Sequence, residues 1–379
     1  MSNRKLRGAM IGGGYNSFIG PVHRMAGTLD GLAEFVGGVF SADPQRSREF
    51  GKTLFLDPQR VHGSVEELIR HEAALPEDQR IDFVTICTPN DSHYHAVCAS
   101  LEAGFHVICD KPVTRTLAEA QDLVERVEKS DRFFGLTHNY TGYPMVREAK
   151  HLVGQGALGT IHKVVVEYAQ GWLAPLLSNT DTAANPWRMD PARVGAACTM
   201  GDIGTHGENL LRFVTGLETE ALCADLRACI PSNPLDDDGS ILLRFKGGAH
   251  GVLIASQVST GEENRINLRV YGSKAGLFWS QENPNYLELR DLDGTATVLS
   301  KGGPRLSPVA TGAGRLPAGH PDGFIEAFAN IYRDCFRGIA GEPVDVPGIA
   351  DGLAGMQFIE TVVASGRSEQ KWTPWVSSR

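Results

Sequence analysis

The first third of the chain alternates strand-sized apolar runs with segments of helical period. The apolar runs cover residues 6–11, 35–40, 82–87, 105–109 and 133–137, and helical patterns cover 64–72, 93–103 and 116–130. This alternation is typical of βαβ units wound around a parallel sheet. Thr116 precedes Glu119 by three residues, which is capping-box spacing and marks the start of the last of these helices.

From about residue 161 the pattern changes to short apolar runs separated by turn signals. Candidate strands lie at 161–170, 240–245, 251–257, 267–271, 276–280 and 287–292, while 173–197 and 301–317 look irregular. Such a succession predicts an open, mainly antiparallel sheet with one face packed on helices. We therefore expect two domains, an α/β domain at 1–138 and an α+β domain at 139–379 whose C-terminal helix is able to pack back on the first.

Composition excludes several classes of protein. The 379 residues are 42% hydrophobic and 21% charged, which is the balance of a globular protein and not of a membrane protein. The net charge is −9 and no basic stripe is present, so we expect no nucleic-acid partner. Seven scattered cysteines without a Cys-x-x-Cys pair predict reduced thiols, and no residue set has metal-ligand spacing. A glycine loop as early as Gly12 leaves no room for a signal peptide, so we expect a cytoplasmic protein with no metal.

A glycine-rich turn follows the first apolar run directly. Gly12, Gly13 and Gly14 allow the tight turn whose backbone approaches a pyrophosphate at a helix N-terminus. The third glycine of a Gly-x-Gly-x-x-Gly motif is replaced by Ser17, and Gly20 comes three residues later. Either Ser17 lies at the close approach or the loop carries a three-residue insertion. We predict that this loop contacts a dinucleotide through Gly12, Gly14, Tyr15, Asn16, Ser17 and Phe18.

The end of the second apolar run lacks the acid that would bind an adenosine ribose. Ser41 occupies that place, with Asp43 and Arg46 close behind. A carboxylate there favours NAD, whereas a hydroxyl beside an arginine accepts a 2′-phosphate. Ser41 and Arg46 therefore favour tolerance of NADP. Asp43 restores the choice of NAD if the loop bends back, and is otherwise a turn residue before Pro44.

A lysine stands immediately after a buried run. Residues 105–109 are followed by Asp110-Lys111-Pro112, and the proline prevents Lys111 from continuing into a helix. Lys111 is therefore held at the carboxyl end of a strand, where open α/β sheets bind their ligands. The alternative is a surface ion pair.

A polar helix face is predicted over residues 201–215, ended by Gly216 as C-cap. Asp202 and His206 are four residues apart and share one face of such a helix, which Asn209 extends. The alternative is an ordinary helix with a solvent-facing polar stripe. The glycines at 201, 204 and 207 argue against that alternative, because glycine is unfavourable in helices unless something approaches closely.

Together these segments resemble the Gfo/Idh/MocA family, named for glucose-fructose oxidoreductase and inositol dehydrogenase. The resemblance is carried by residues 11–14 with 20–23, Thr88-Pro89-Asn90 with His93, the run from Gly104 to Pro112, and 201–206. It implies a Rossmann domain, NAD or NADP, hydride transfer on sugars or cyclic polyols, and dimers or tetramers packed through the sheet face. The usual Glu-Lys-Pro is Asp-Lys-Pro here, which leaves open how Asp110 reaches the nicotinamide ribose. Further cofactor contacts are implied for Thr88, Pro89, Asn90, His93, Asp110 and Lys111.

Alcohol oxidation removes a proton as the hydride leaves, so a base that titrates near neutrality is preferred. We assign His206 as that base, Lys111 as the charge that stabilises the developing alkoxide, and Asp202 as the group that orients a substrate hydroxyl or His206. An exchange of roles between Lys111 and His206 stays open. Substrate contacts are predicted for Lys111, Asn139, Tyr140, Trp172, Arg188, Asp202 and His206.

Three functions are compatible with the sequence. The leading one is an NAD(P)-dependent dehydrogenase or reductase for a small carbohydrate or polyol. The second is redox-assisted elimination, hydrolysis or epimerisation with a tightly bound cofactor that is recycled in place. The third is a non-catalytic sensor, which predicts the loss of Lys111 or His206, and both residues are present.

Overall fold

The computed structural model describes residues 4–181, 183 and 186–376. Within that part the chain divides into two compact units. The first comprises residues up to Asn139 together with Phe324–Leu353, and the second comprises Tyr140–Gly323 together with the residues from Ala354 onward.

The first unit is built on a parallel five-stranded sheet in the order β2 (Ala33–Val39), β1 (Leu6–Gly12), β3 (Phe83–Cys87), β4 (His106–Cys109) and β5 (Phe134–Leu136). This order confirms the predicted α/β Rossmann-like domain. All five residues of the central strand β3 are buried, as expected for a parallel strand covered on both faces. The predicted capping box is also present, because Thr116 and Glu119 each accept a backbone N–H of the other. The elements are β1 Leu6–Gly12, α1 Ile19–Thr28, β2 Ala33–Val39, α2 Pro44–Thr53, α3 Val65–Ala74, β3 Phe83–Cys87, α4 His93–Glu102, β4 His106–Cys109, α5 Leu117–Lys129 and β5 Phe134–Leu136.

The second unit contains a nine-stranded sheet, and the prediction of an open, mainly antiparallel sheet is confirmed. Between residues 140 and 323 its elements are α6 Pro144–Gly154, β6 Ile161–Ala169, α7 Pro191–Val194, α8 Thr205–Thr215, β7 Thr219–Arg227, β8 Asp238–Phe245, β9 His250–Ser256, β10 Arg265–Gly272, β11 Ala275–Ser280, β12 Tyr286–Asp291, β13 Ala296–Ser300 and α9 Pro308–Ala313. Two long helices and a short strand complete the described chain, α10 Phe324–Ile339, α11 Ile349–Gly366 and β14 Thr373–Pro374.

The strand order of this sheet is β13-β12-β11-β10-β6-β9-β8-β7-β14. Among the pairs formed by described strands, β6 with β9 is the parallel one, and the others are antiparallel. β6 therefore separates two antiparallel meanders, β7 to β9 and β10 to β13.

The two faces of the nine-stranded sheet differ in character. One face carries buried aliphatic residues such as Val166, Leu253 and Leu268, and helices α6 and α8 pack on it. The strand registers place a second set of side chains on the opposite face, which we call the open face. Its exposed apolar members are Leu242, Tyr271, Tyr286 and Val298.

Helix α10 belongs to the first unit. Its residues Phe328, Tyr332 and Phe336 join a hydrophobic cluster with Phe83 of β3 and Ile108 of β4. Its hydrophobic face is therefore used to complete the core beneath the parallel sheet.

Two stretches that the sequence indicated as irregular contain helical turns. In 301–317, Ser307 caps α9 by accepting from the Ala310 N–H, and Pro308 takes the first helical position. In 173–197, short 3₁₀ turns at Ala174–Leu176 and Trp187–Met189 precede α7, while Thr182, Ala184 and Asn185 lie outside the described residues. Across the described helices, none has the length and apolar character needed to cross a bilayer.

Candidate active site

The loop between β1 and α1 carries the three-residue insertion. Helix α1 begins at Ile19, and a Cβ placed on Gly20 would lie 2.4 Å from the Cα and O of Gly13. Gly20, and not Ser17, is therefore the residue at the close approach. The Ser17 hydroxyl accepts a hydrogen bond from the Gly20 N–H at 3.1 Å, and Asn16 is left-handed with φ 63°.

The same loop has the geometry that a pyrophosphate needs. A Cβ on Gly12 would lie 2.8 Å from the backbone of Cys87, and one on Gly14 would lie 2.1 Å from the Phe40 carbonyl oxygen. No side chain fits at either position, so the backbone itself lines the N-terminus of α1. Tyr15 and Phe18 of the loop are 47% and 76% exposed. These residues fit a dinucleotide.

Asp43 stands at the turn after β2, directly before Pro44 and α2. Its carboxylate caps α2 by accepting from the N–H groups of Gln45 and Arg46 at 2.8 and 3.1 Å. The Asp43 N–H donates to Ser41 Oγ at 3.1 Å, so Ser41 and Asp43 share one tight turn. The Arg46 guanidinium lies over the Tyr15 ring, 5.9 Å from its centroid. Ser41, Asp43, Arg46 and Tyr15 are thereby brought together.

The loop after β3 holds the second group of predicted cofactor residues. Pro89 precedes a 3₁₀ turn over Asn90–Ser92, and Asn90 is buried. The His93 ring lies between the carbonyl oxygens of Pro112 and Thr88, 2.9 Å from each. Burial lowers the pKa of His93, so the neutral ring donates to one of these carbonyls. His93 thus ties the Thr88 loop to the segment after Lys111.

Asp110 is directed inward, toward the core of the first unit. Its Oδ1 accepts from the Lys111 N–H and from Thr137 Oγ1, both at 2.9 Å. Its Oδ2 lies 3.7 Å from His23 Nε2, and His23 Nδ1 lies 2.8 Å from the Tyr332 hydroxyl. Burial alone would raise the pKa of Asp110, but His23, Lys111 and His93 hold it well below its ordinary value. The ionised carboxylate therefore anchors the backbone from which Lys111 projects.

The prediction of one α-helix over 201–215 is wrong in its first turn. Residues Met200–Gly204 form a π-turn, closed by the Thr205 N–H on the Met200 carbonyl, and α8 begins at Thr205. The buried carboxylate of Asp236 accepts from the N–H groups of Cys198 and Met200 at 2.8 and 2.7 Å, and so fixes where the turn starts. Burial raises the pKa of Asp236 to about 6. Such π-turns are frequent at functional sites.

Two aromatic rings pack against His206, which is 8% exposed. The Tyr140 ring meets it edge-on at 4.8 Å between centroids, and the Tyr168 ring lies at 6.2 Å. Below the same helix, a Cβ on Gly207 would lie 3.2 Å from Val166, so this glycine lets α8 approach the sheet closely. The close approach accounts for one of the helix glycines noted in the sequence.

Asp202 is brought together with Arg188. The Arg188 Nε lies 3.3 Å from Asp202 Oδ2, and its guanidinium stacks over the Trp187 ring at 4.5 Å. Trp172, at the other end of the irregular stretch, is 43% exposed. Asn139, which ends the first unit, is buried, and its Nδ2 has no hydrogen-bond partner among the described residues.

Several residues around Asp202 and Lys111 were not predicted. Gln257 donates from Nε2 to Asp202 Oδ2 at 2.8 Å, and Asp236 caps the π-turn. Gln257 directly follows β9 and Asp236 opens the acidic run before β8, and neither belongs to a spacing motif. The signal for His23 was present in the segment 20–23, where it follows the glycine loop. Tyr332 belongs to an amphipathic helix whose partner the sequence did not reveal.

One group of described side chains has metal-ligand character, formed by His62, His71 and Glu72, with ligand atoms within 4.8 Å of one another. The Glu72 carboxylate accepts from Arg60 Nε and from the Ile81 N–H, both at 3.0 Å. This buried ion pair accounts for the position of Glu72 without an ion.

Comparison with known proteins agrees with these features. The model of the oxidoreductase family with an NAD-binding Rossmann fold matches residues 6–138, and that of the GFO/IDH/MocA C-terminal domain matches 146–278. An uncharacterized oxidoreductase of Bacillus subtilis (strain 168), YfiI, is 31% identical and covers 98% of this chain and 97% of its own length.

Two crystal structures are similar over nearly the whole chain. An oxidoreductase from Sinorhizobium meliloti is 42% identical with a TM-score of 0.89, covering 97% of this chain and 99% of that one. An inositol dehydrogenase homolog from Azotobacter vinelandii, complexed with NADH and myo-inositol, is 34% identical with a TM-score of 0.89 and 98% coverage of both chains. The resemblance seen in the sequence is confirmed, and the chain belongs to the Gfo/Idh/MocA family of NAD-binding oxidoreductases.

Proposed function

We propose that the protein oxidises a secondary hydroxyl of a cyclic polyol or sugar with NAD as hydride acceptor. The observation that carries the proposal is the placement of Asp202 and His206 on one helical segment beside tyrosine and amide side chains. Hydroxyl-rich substrates need such a density of donors and acceptors. The Azotobacter homolog that binds NADH and myo-inositol supports the same substrate class.

The residues of this chain would divide the chemistry as follows. His206 accepts the hydroxyl proton, because a neutral imidazole is an effective base near neutral pH. Lys111 stabilises the negative charge that develops on the substrate oxygen. Asp202 orients a neighbouring hydroxyl by accepting its hydrogen bond. Tyr140, Asn139, Trp172 and Arg188 serve as further substrate contacts.

The cofactor-binding residues fit NAD. The glycine loop leaves its backbone N–H groups for the pyrophosphate, and bound NAD supplies the hydride-accepting nicotinamide. We propose a preference for NAD over NADP, in contrast to the tolerance of NADP that the sequence favoured. The support is Asp43, an acid in the same turn as the Ser41 hydroxyl that a 2′-phosphate would approach.

We further propose that copies of this chain associate through the open face. Leu242, Tyr271, Tyr286 and Val298 are 46%, 39%, 47% and 58% exposed, and large apolar side chains exposed on one sheet face support an interaction surface there. A solution mass equal to one chain at micromolar concentration would contradict this. We also propose a cytoplasmic location, because all seven cysteines are free thiols.

The decisive experiment is a substrate panel followed by nicotinamide absorbance with NAD and with NADP. It includes myo-inositol, other cyclic polyols, aldoses and anhydrosugars. We expect NADH formation with at least one of them, and loss of that activity in His206→Asn. A protein that binds NADH but oxidises none of them contradicts the proposal. Conversion of a glycoside without net NADH formation would identify the redox-neutral reaction instead.

A further inference from the structure

A continuous chain of hydrogen bonds runs through the second unit and ends at Asp202. We call it the amide chain. Its links are Tyr140 Oη to Tyr168 Oη (2.5 Å), Tyr168 Oη to Asn264 Oδ1 (2.7 Å), Gln170 Nε2 to Asn264 Oδ1 (2.7 Å), Gln257 Nε2 to Gln170 Oε1 (3.2 Å) and Gln257 Nε2 to Asp202 Oδ2 (2.8 Å), with Thr199 Oγ1 donating to Gln257 Oε1 (2.9 Å).

The strand order explains why these amides meet. Gln170 follows β6, Gln257 follows β9, and Asn264 immediately precedes β10. Because β6 and β9 are parallel and β10 is antiparallel to β6, these three ends lie at one edge of the sheet. The parallel pair within an otherwise antiparallel sheet therefore builds the amide chain.

The charge of Asp202 fixes the direction of every bond in the amide chain. An ionised carboxylate only accepts, so Gln257 must present its NH₂ group to Asp202 and its carbonyl to Thr199. The second N–H of Gln257 then reaches Gln170 Oε1, which directs the Gln170 NH₂ group to Asn264 Oδ1. Asn264 in turn donates to Tyr140 Oη at 3.2 Å, beside the ring of His206. A chain with one allowed direction is stiffer than its separate bonds.

Two side chains that contact Asp202 Oδ2 are Gln257 and Arg188, and Gln257 is the more rigid of these two. It is fully buried, as is Thr199, whereas the second donor, Arg188, has a side chain that is 36% exposed. A buried amide is costly unless each of its polar atoms has a partner. Here those partners are Asp202, Gln170 and Thr199, so the amide is stable only while Asp202 accepts.

We propose that Gln257 is a positioning residue that holds the Asp202 carboxylate in one orientation for a substrate hydroxyl. This inference rests on the proposed function of Asp202. Gln257 itself touches neither substrate nor cofactor; it acts through the carboxylate, and the amide chain passes the same constraint to Tyr140 beside His206.

The test compares Gln257→Met, Gln257→Glu and the matched control Gln357→Met, which replaces another buried glutamine, on α11 of the same unit. Gln257→Met should raise KM for the best substrate of the panel and lower kcat/KM by about 10- to 100-fold, as expected for losing one hydrogen bond to a charged group. NADH affinity should stay within about twofold in all three variants, and Gln357→Met should oxidise the substrate like the wild type.

Gln257→Glu distinguishes a role of Gln257 in positioning Asp202 from a role in packing alone. The introduced carboxyl can donate to Asp202 only when it is protonated, so the ratio of the variant's kcat/KM to that of the wild type should rise toward acidic pH, in contrast to Gln257→Met. In an Asp202→Asn background, Gln257→Met should lower kcat/KM little further, because the effect acts through Asp202. If Gln257→Met proves unfolded, Thr199→Val makes the same test, since it removes only the hydroxyl that orients the amide.

Wild-type kcat/KM in folded Gln257→Met and Thr199→Val, or identical pH profiles for Gln257→Met and Gln257→Glu, would overturn the proposal. Absence of turnover in the wild type would instead refute the proposed function. In that case, crystal structures of the wild type and of Gln257→Met test the positioning role of Gln257 without an activity assay. A displaced Asp202 carboxylate in Gln257→Met supports the role, and an unmoved carboxylate refutes it.

Discussion

Gly20→Ala should weaken cofactor binding without unfolding the protein. The new Cβ would lie 2.4 Å from the Cα and O of Gly13, about 1 Å closer than ordinary contacts. Both opposing atoms are backbone, so no side chain can rotate away, and α1 must shift from the loop. Overpacking of this kind costs roughly 1–3 kcal/mol, which, expressed fully in binding, raises the Kd for NADH about 5- to 150-fold.

Fluorescence titration with NADH measures that Kd, and thermal unfolding reports stability in the same samples. The control is Gly154→Ala at the end of α6, where a Cβ meets no atom within 4 Å. It should bind NADH like the wild type, since alanine is the better helix former. Wild-type affinity in a folded Gly20→Ala would refute the assignment of Gly20 to the close approach and return that role to Ser17.

Four further predictions concern charged groups. Lys111→Ala should bind NADH normally and lose about 10²- to 10³-fold in turnover, whereas Lys129→Ala, at an exposed position of α5, should keep wild-type turnover. Near wild-type turnover in Lys111→Ala would contradict the role of Lys111 in stabilising the alkoxide. His206→Asn should lose about 10²- to 10⁴-fold and abolish the rise of oxidation through neutral pH; survival of that rise would exchange the roles of His206 and Lys111. Asp43→Ala should raise kcat/KM for NADP several-fold relative to NAD, whereas Asp57→Ala, which removes a similar cap, should not. Burial raises the folded-state pKa of Asp236 to about 6, above its unfolded value, so the stability that it contributes is full at pH below 4 and is lost as pH rises through 6. Asp236→Asn should flatten that part of the stability profile, and an unchanged slope in urea unfolding between pH 4 and 7 would contradict the assignment.

The buried strands were predictable because they are continuous apolar runs. β3 and β4 lie in the middle of a parallel sheet, so their sequences contain almost nothing else. β7 and β13 were missed, because acidic residues interrupt the apolar residues of β7, and β13 is only five residues long with Leu299 as its buried member. Half-exposed strands were identified where turn signals follow an apolar run, as in β8 before Lys246-Gly247-Gly248.

The predicted site residues were those carried by short motifs, such as Lys111 and His206. The π-turn that contains Asp202 could not be predicted, because the carboxylate that fixes the start of the turn belongs to Asp236, far along the chain. Gln170 and Gln257 likewise become neighbours only through the strand order β10-β6-β9. Residues that act by tertiary contact leave no periodic or spaced signal in the sequence.

Helix α10 delays completion of the first unit during synthesis, because this helix comes late in the sequence. Phe328, Tyr332 and Phe336 cover Phe83 and Ile108, yet the ribosome adds them only after residues 140–323. Until then the nascent parallel sheet keeps an apolar face uncovered, a state in which chaperones bind and aggregation begins. An excised fragment of residues 4–139 would share that defect permanently. Grafting Phe324–Leu353 onto it through a flexible linker is therefore the minimal design for an autonomous cofactor-binding module.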